Sequence, residues 1–260
     1  MKALIDTNIY LSRWPFRRLP GDELKTLVET LQHNGITQAW AGSFDSLLHH
    51  DIASVNEHLV ESCRDYGNGL LLPIGTINPL LPDWQEDLRR CHEVHKMRGI
   101  RLHPNYHRYK LDSPLFALLL RQAVERGLVV QLAVTMEDER TQHPLVQVPH
   151  VDTSPLVALA KELLQMRLQL LGAFRSIRPS AAAELAAAGN ISFEISMLEG
   201  VGGVEQLLKH VPLERVLFGS HAPLFYVESV ILKMQESVLP NFQQVAIFQM
   251  NAKRFLAGEK

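Results

Sequence analysis

Short apolar segments alternate with helix-like segments along the whole chain, and this alternation limits the folds open to it more than any other feature. The strand-like segments are Ala3–Asn8, Gln38–Ala41, Gly69–Thr76, Gly99–His103, Leu128–Val134, Arg167–Leu171, Ile191–Ser196 and Arg215–Ser220. The helix-like segments, most with apolar residues three and four apart, are Asp22–His33, Ile52–Tyr66, Trp84–His95, Pro114–Arg126, Pro155–Gln165, Ala181–Ala188, Val204–His210 and Val227–Ser237. Repeated strand–helix units form parallel sheets, and eight of them predict an α/β fold of the (β/α)8 TIM-barrel type.

The length of the chain agrees with one barrel. At 260 residues it matches the size of a single α/β barrel, so we expect residues 1–260 to form one domain. A formal net charge of -2 gives no basic surface for nucleic acid or for an anionic membrane. No apolar run approaches the roughly 18 residues of a membrane span. Neither nucleic acid nor membrane is therefore an expected partner.

The cysteines and the first residues predict a cytoplasmic location. Cys63 and Cys91 are the only cysteines, they form no Cys-x-x-Cys motif, and both lie in helical patterns. We expect them to be free thiols packed in the interior. The chain also starts without the long apolar segment of a signal peptide.

Two connections are too long for simple turns, and both follow the carboxyl end of a predicted strand. Residues 14–20 follow the first strand, and residues 135–153 follow the fifth. Loops at the carboxyl ends of barrel strands build active sites, and loops longer than about 12 residues are usually lids or binding loops. Both are therefore candidates for a substrate cover. Alternatively, residues 135–153 pack on a neighbouring subunit, since barrels of this kind often form homo-oligomers.

Both ends of the chain carry motifs of one known family. Residues 218–223 read Phe-Gly-Ser-His-Ala-Pro, and residues 4–10 read Leu-Ile-Asp-Thr-Asn-Ile-Tyr. These segments resemble the Phe-Gly-Ser-Asp-x-Pro and Ile-Asp-x-His-x-His motifs of the amidohydrolase-related (amidohydrolase 2 type) metal-dependent hydrolases. Residues 247–256 resemble the Gly-Asn-Ala-x-Arg-Leu-Phe element that closes the barrel in that family. The resemblance implies an amidohydrolase-like barrel.

The chain departs from the family pattern at the metal ligands. Asn8 and Tyr10 stand where the first two histidines would be, and a neutral amide and a phenol are poor zinc ligands. Ala133 and Gly172 align with the histidines of the fifth and sixth strands, and His221 replaces the catalytic aspartate. The resemblance therefore implies a metal site that has lost its usual ligands.

The fourth predicted strand also differs from the family pattern. It resembles the family pattern Gly-x-Lys-Leu-x-Pro, and Arg101 stands where some relatives carry a metal-bridging lysine. An arginine brings a fixed positive charge and cannot be carbamylated like a lysine. Alternation along a strand places Arg101 and His103 on one face, and likewise Glu194 and Ser196.

The polar residues of the strand ends and following loops form the candidate site, because neighbouring loops meet over one barrel mouth. The catalytic candidates are His221, His103, Arg101, Glu194, Asp138 and Arg140. The substrate-binding candidates are Asn8, Tyr10, Asp6, Gln131, Tyr106, His107 and His143. The alternative for the central residues is a hydrogen-bond network that fills a former metal site, because buried polar groups need partners.

Three functional hypotheses follow. The first is a hydrolase or lyase acting on a small carboxylated or cyclic molecule such as a lactone, an amide or a decarboxylatable acid, with His221 or His103 as general base. Metal-free chemistry without a cofactor is favoured; a retained divalent ion such as zinc would need His103, His221 and Glu194. The second hypothesis is an inactive barrel with a binding or regulatory role. The third is an unrelated barrel enzyme of sugar or phosphate metabolism, which the lack of a Gly-rich phosphate loop disfavours.

Overall fold

The computed structural model describes residues 3–259, and its strands form a parallel barrel. The strands are β1 (Leu4–Leu11), β2 (Ile36–Ser43), β3 (Leu71–Pro73), β4 (Gly75–Thr76), β5 (Gly99–Leu102), β6 (Val129–Ala133), β7 (Leu168–Leu171), β8 (Ile191–Glu194) and β9 (Val216–Leu217). Neighbours pair in the order β1-β2-β3 and β4-β5-β6-β7-β8-β9, and every pairing is parallel.

Backbone hydrogen bonds join the two sheets into a closed barrel. Only Ile74 separates β3 from β4, and its amide donates to the Ala41 carbonyl on β2 at 2.9 Å. At the other edge, Thr7 donates to Phe218 at 3.0 Å and Tyr10 donates to Ala222 at 2.8 Å. With β3 and β4 sharing one position, the strands fill the eight positions expected from the sequence, and the predicted TIM barrel is confirmed.

Helices cover the outside of the barrel. They are α1 (Leu24–His33), α2 (Ile52–Gly67), α3 (Trp84–Arg89), α4 (Pro104–His107), α5 (Pro114–Glu125), α6 (Leu156–Glu162), α7 (Pro179–Ala188), α8 (Gly203–Leu207), α9 (Val227–Glu236), α10 (Asn241–Val245) and α11 (Asn251–Ala257). The periodicity found eight of them to within a few residues. It did not predict α4, α10 or α11, because helices of four to seven residues are too short to show a period.

The core has an apolar shell and a polar centre. Leucine, isoleucine and valine side chains fill the space between strands and helices, and Cys63 and Cys91 lie there as buried thiols. Burial raises the pKa of both thiols to about 12, so they are inert packing groups, as predicted. No helix within residues 3–259 combines the length and the apolar character needed to cross a membrane.

Candidate functional site

His221 lies at the centre of the barrel, and both of its ring nitrogens are occupied. Its Nε2 is 2.7 Å from the Met136 carbonyl, which can only accept, so Nε2 carries the proton. Its Nδ1 therefore accepts from Asn8 Nδ2 at 2.9 Å. Burial lowers the pKa of His221 to about 4. The ring is thus neutral at pH 7 and has no free nitrogen for substrate.

His103 and Tyr10 form a second buried pair. The Tyr10 hydroxyl lies 3.1 Å from His103 Nε2 and 3.3 Å from the sulfur of Met136. His103 Nδ1 is buried and has no hydrogen-bond partner within the described part of the chain. Burial lowers the pKa of His103 well below its usual value, with a further contribution from the neighbouring His107. His103 is therefore a neutral imidazole with one uncommitted nitrogen.

Arg101 spans the middle of the barrel and is fully buried. Its Nε donates to Gln131 Oε1 at 2.8 Å, and Nη1 and Nη2 donate to the carbonyls of Ile9 and Trp40 at 2.7 and 3.1 Å. The guanidinium also lies over the Tyr10 ring, 4.4 Å from its centroid. Burial lowers the pKa of Arg101, while the charges of Tyr10, Asp6 and Glu194 oppose this change.

Two carboxyl groups complete the centre. Glu194 accepts hydrogen bonds from the Gly172 amide at 2.6 Å and from the Ser196 amide and hydroxyl at 2.5 and 2.8 Å. Asp6 accepts from the amides of Asn8 and Ser220, and its second oxygen has no partner among the described residues. Burial raises the pKa of Asp6 to about 7 and also raises the pKa of Glu194. Each acid is thus held by donors from the protein itself.

The centre is closed from above by the two long connections. Trp14 packs edge-on against Phe44, which stacks on Tyr10 with centroids 4.7 Å apart. Arg17 and Glu137 join the two connections through a 2.8 Å ion pair. Every one of the central side chains has 0% exposure: Asp6, Asn8, Tyr10, Arg101, His103, Gln131, Glu194 and His221. A substrate could reach them only if this cover moved.

Three predicted site residues lie away from the centre. Arg140 is 77% exposed and pairs with Asp138 at 2.6 Å, and its hydrogen bonds hold the pKa of that carboxyl well below the usual range. Arg175 also pairs with Asp138 at 3.0 Å, and His143 accepts from the Leu145 amide on the exposed loop. The structure therefore places Asp138, Arg140 and His143 in surface contacts. Sequence position after β6 could not distinguish a loop tip from a loop base.

His107 and Tyr106 lie between the centre and the surface. His107 Nε2 donates to the Ser46 carbonyl at 2.8 Å, which ties α4 to the connection after β2. The Tyr106 ring packs edge-on against Trp14, so it forms part of the cover. Tyr106 also faces the cavity beside that cover, whereas His107 does not line it.

A cavity of about 670 Å³ lies at the carboxyl end of the barrel, between the segment after β5 and the second half of the segment after β6. Its apolar lining is Leu48, Pro104, Tyr106, Tyr109, Leu111, Leu145, Val146, Val148, Pro149, Val151 and Pro155, and its polar lining is Asn105, Arg108, Lys110, Asp112, Gln147, His150 and Asp152. Asn105 Nδ2 donates to the Pro149 carbonyl at 3.1 Å and so connects the two walls. The clustering of polar residues after β5 in the sequence indicated this wall; the opposite wall had no such signal.

Some charged side chains on the cavity lining have partners within the protein, and others have none. The Asp152 carboxylate accepts from the Ser154 amide at 3.0 Å. Arg108 and Lys110 are exposed, and neither has an ion pair or a hydrogen bond from its side chain within residues 3–259. Asp112 is likewise without a side-chain partner in that range. Two cations and one carboxylate thus remain available to a ligand.

Comparison with known proteins identifies the fold. No protein-family model matches the chain, and no curated protein gives a significant match. A Staphylococcus aureus protein assigned to the amidohydrolases has a TM-score of 0.72 and 12% identity, covering 98% of this chain and 99% of its own. The 2,6-dihydroxybenzoate decarboxylase from Rhizobium has a TM-score of 0.71 and 13% identity over 99% of each chain.

A third solved structure contains a metal. The 5-carboxyvanillate decarboxylase from Novosphingobium aromaticivorans has a TM-score of 0.75 and 12% identity, covering 98% of this chain and 97% of its own, and holds manganese and 3-methoxy-4-hydroxy-5-nitrobenzoic acid. Similarity at these identities shows the fold. The predicted amidohydrolase-like barrel, and with it the resemblance to amidohydrolase-related proteins at the level of fold, is confirmed.

The centre of this chain does not fit a divalent ion. No group of three or more His, Cys, Asp or Glu side chains within residues 3–259 is arranged to hold a metal. In particular, His103, His221 and Glu194, the alternative zinc set, do not form such a group, because both His221 nitrogens and the Glu194 oxygens already have protein partners. The Arg101 charge would also repel a cation.

Proposed function

We propose that this protein is a small-molecule-binding barrel whose ligand is a small cyclic or aromatic carboxylate held in the mouth cavity. The observation that carries the proposal is the contrast between the two parts of the barrel mouth. The central side chains have 0% exposure and bond to one another and to neighbouring buried groups of the protein, whereas the cavity beside them is open and has uncommitted cations. A ligand can enter the second region without any rearrangement.

The cavity walls support a ring-sized, largely apolar ligand. Its volume of about 670 Å³ lies within the range of roughly 300–1,000 Å³ that is usual for small-molecule sites. Two tyrosines, Tyr106 and Tyr109, contribute aromatic surface, and proline and valine side chains complete the walls. Aromatic walls of this kind favour a planar molecule over a long flexible one, which would lose more conformational freedom on binding.

The available charges support an anionic substituent. Arg108 and Lys110 form no ion pair within residues 3–259, although Asp112 and Asp152 line the same cavity. An arginine can bind a carboxylate through two parallel hydrogen bonds. The decarboxylases named above are described as acting on 2,6-dihydroxybenzoate and 5-carboxyvanillate, which are aromatic carboxylates. These substrates belong to the proposed ligand class, but the proposal itself rests on the residues that line the cavity.

A second candidate function is metal-independent acid–base catalysis on the same class of molecule. It is favoured by the uncommitted Nδ1 of His103, which directly precedes Pro104 in the cavity wall. A neutral imidazole with a lowered pKa is available as a general base near neutral pH. Catalysis would require Trp14 and Tyr106 to move aside and admit the ligand to His103.

Thermal unfolding with three matched compounds tests the proposal. Benzoate, benzamide and benzylamine share a ring and differ in charge, and a ligand at 100 times its Kd stabilises the folded state by about 2.7 kcal/mol. For a chain of this size that amounts to a rise in Tm of about 5–10 °C. We expect benzoate to give the largest shift; an equal shift with benzamide would contradict the role of the cations, and no shift with any of them would remove the binding proposal.

Paired variants locate the site. R108Q/K110Q should abolish the preference for benzoate, whereas K25Q/K209Q, which removes two exposed charges that do not line the cavity, should retain it. Turnover is followed separately by mass spectrometry on lactones, amides and aromatic carboxylic acids. Product that forms with the wild type and disappears in H103Q would establish the catalytic candidate instead.

A further inference from the structure

We infer that the ligand of the mouth cavity has an ammonium group as well as a carboxylate, so that it is an aromatic or cyclic amino acid in its zwitterionic form. This inference rests on the proposed function, because it concerns the same cavity and narrows the class of its ligand. It follows from the acidic side chains that line the cavity beside Arg108 and Lys110.

The segment after α4 places three charged side chains at the edge of the cavity. Arg108, Lys110 and Asp112 are exposed. Tyr109 and Leu111, which alternate with them, are buried. The backbone of Arg108 is left-handed, with a φ of 59°, and ends α4. All three charged side chains line the cavity, so two cations and one carboxylate border the same space.

The charges that line the cavity balance in sign. Asp152 lies on the opposite wall, and the Ser154 amide donates to its carboxylate at 3.0 Å. This backbone hydrogen bond lowers the pKa of Asp152, so the group is ionised at pH 7. Together with Asp112 it matches the two cations, and with histidine neutral the lining has no net formal charge. A ligand with a carboxylate alone would therefore meet two acids as well as two cations.

The opposite charges of the lining do not neutralise one another. Arg108, Lys110, Asp112 and Asp152 form no ion pair within residues 3–259, although all four line one cavity. Charged groups in a binding site give specificity when each of them meets an opposite charge of the ligand. A zwitterion meets this condition, because its carboxylate can bind Arg108 and Lys110 while its ammonium group binds Asp112.

Ligands with a single charge would each face a group of the same sign. A ring with only a carboxylate brings an anion close to Asp112, and a ring with only an ammonium group brings a cation close to Arg108 and Lys110. Like charges brought together oppose binding. The rings of Tyr106 and Tyr109 offer the same aromatic surface to all of these ligands, so the charged substituents decide between them.

Calorimetric titration with two pairs of compounds tests the inference. L-Phenylalanine is compared with 3-phenylpropionate, and 4-(aminomethyl)benzoate is compared with 4-methylbenzoate. Within each pair the ring and the carboxylate are the same, and only the ammonium group differs. We expect the zwitterion of at least one pair to bind at least about threefold more tightly than its matched acid, which is the effect of one partly exposed ion pair.

The D112N variant identifies the partner of the ammonium group. It keeps the size of the side chain and removes its charge, so the advantage of the zwitterion should disappear while the plain acid binds at least as tightly as before. The control is D83N, because Asp83 is exposed, does not line the cavity and has no side-chain hydrogen bond or ion pair within residues 3–259. D83N should keep the wild-type ratio of the two Kd values.

The outcomes separate this inference from the proposed function. If the acids bind and neither zwitterion binds more tightly, the cavity takes a carboxylate as proposed and the inference alone is refuted. If none of the compounds binds, both are refuted. A zwitterion advantage that survives in D112N, or that D83N reduces as much as D112N does, would also refute the inference, because Asp112 would then have no specific part in it.

Discussion

The ion pair between Arg17 and Glu137 should control how often the cover over the barrel centre opens. It joins the two long connections at 2.8 Å, and the Glu137 side chain is only 5% exposed whereas Arg17 is 44% exposed. Thr141 Oγ1 adds a weaker contact to the same carboxylate at 3.3 Å. Replacing Arg17 with Met would leave Glu137 buried without its cation.

The free-energy cost of losing the Arg17–Glu137 ion pair should lie between two known limits. Exposed ion pairs contribute about 0–1 kcal/mol, and removing one partner of a fully buried pair costs about 3–5 kcal/mol. For one exposed and one buried partner we expect about 2 kcal/mol, which corresponds to an opening equilibrium about 30-fold higher. The matched control is R13M, because the Arg13–Glu23 pair has a similar length of 2.7 Å but both side chains are about 60% exposed. Its loss should cost about 0.5 kcal/mol, or roughly a twofold change.

Hydrogen exchange of residues 12–22, followed by mass spectrometry, measures this opening directly. The amides of Leu19 and Asp22 are hydrogen-bonded within this segment and should report it. We expect R17M to exchange at least about tenfold faster than R13M at these amides, with the rest of the barrel unchanged. Equal exchange in the two variants would refute the idea that this pair holds the cover.

Three further predictions concern residues at the centre of the barrel. G42A should lower the Tm by about 2–10 °C, because its methyl group would collide with the Arg101 side chain. G203A, whose nearest contact would be 3.4 Å away, should change the Tm little. Equal effects of the two variants would contradict the idea that glycine at position 42 makes room for Arg101. H221N should cost about 2–4 kcal/mol in urea unfolding, because it leaves a buried amide and a buried carbonyl without partners; an unchanged midpoint would remove His221 from the network. The folded-state pKa of Asp6, about 7, lies above its unfolded value, so its contribution to stability is complete below about pH 4 and is lost as the pH rises through 7. D6N should therefore gain stability relative to the wild type between pH 5 and 8, and parallel pH profiles would contradict this.

The sequence also predicted many of the residues that lie at the centre of the barrel. Side chains two apart on β1 share a face, so Asp6, Asn8 and Tyr10 were predicted to point inward, and the structure buries all three. The same rule placed Arg101 and His103 on one face of the strand predicted over Gly99–His103, although the observed β5 ends at Leu102. The roles of these residues stay predictions, because the comparisons show a fold and not a reaction. The surface positions of Asp138, Arg140 and His143 could not be predicted, since an irregular loop has no period that fixes its direction.

The sequence by itself determined the barrel, because strand and helix periods are local properties that can be read within about ten residues. Only the tertiary structure determined which of these residues form hydrogen bonds and ion pairs with one another. His221 bonds to Asn8 across 213 positions, and Arg17 reaches Glu137 across 120. Such contacts depend on how strands register around a closed sheet and on how two aperiodic segments fold over it. For the same reason, the closed centre and the open cavity beside it became visible only once the chain was folded.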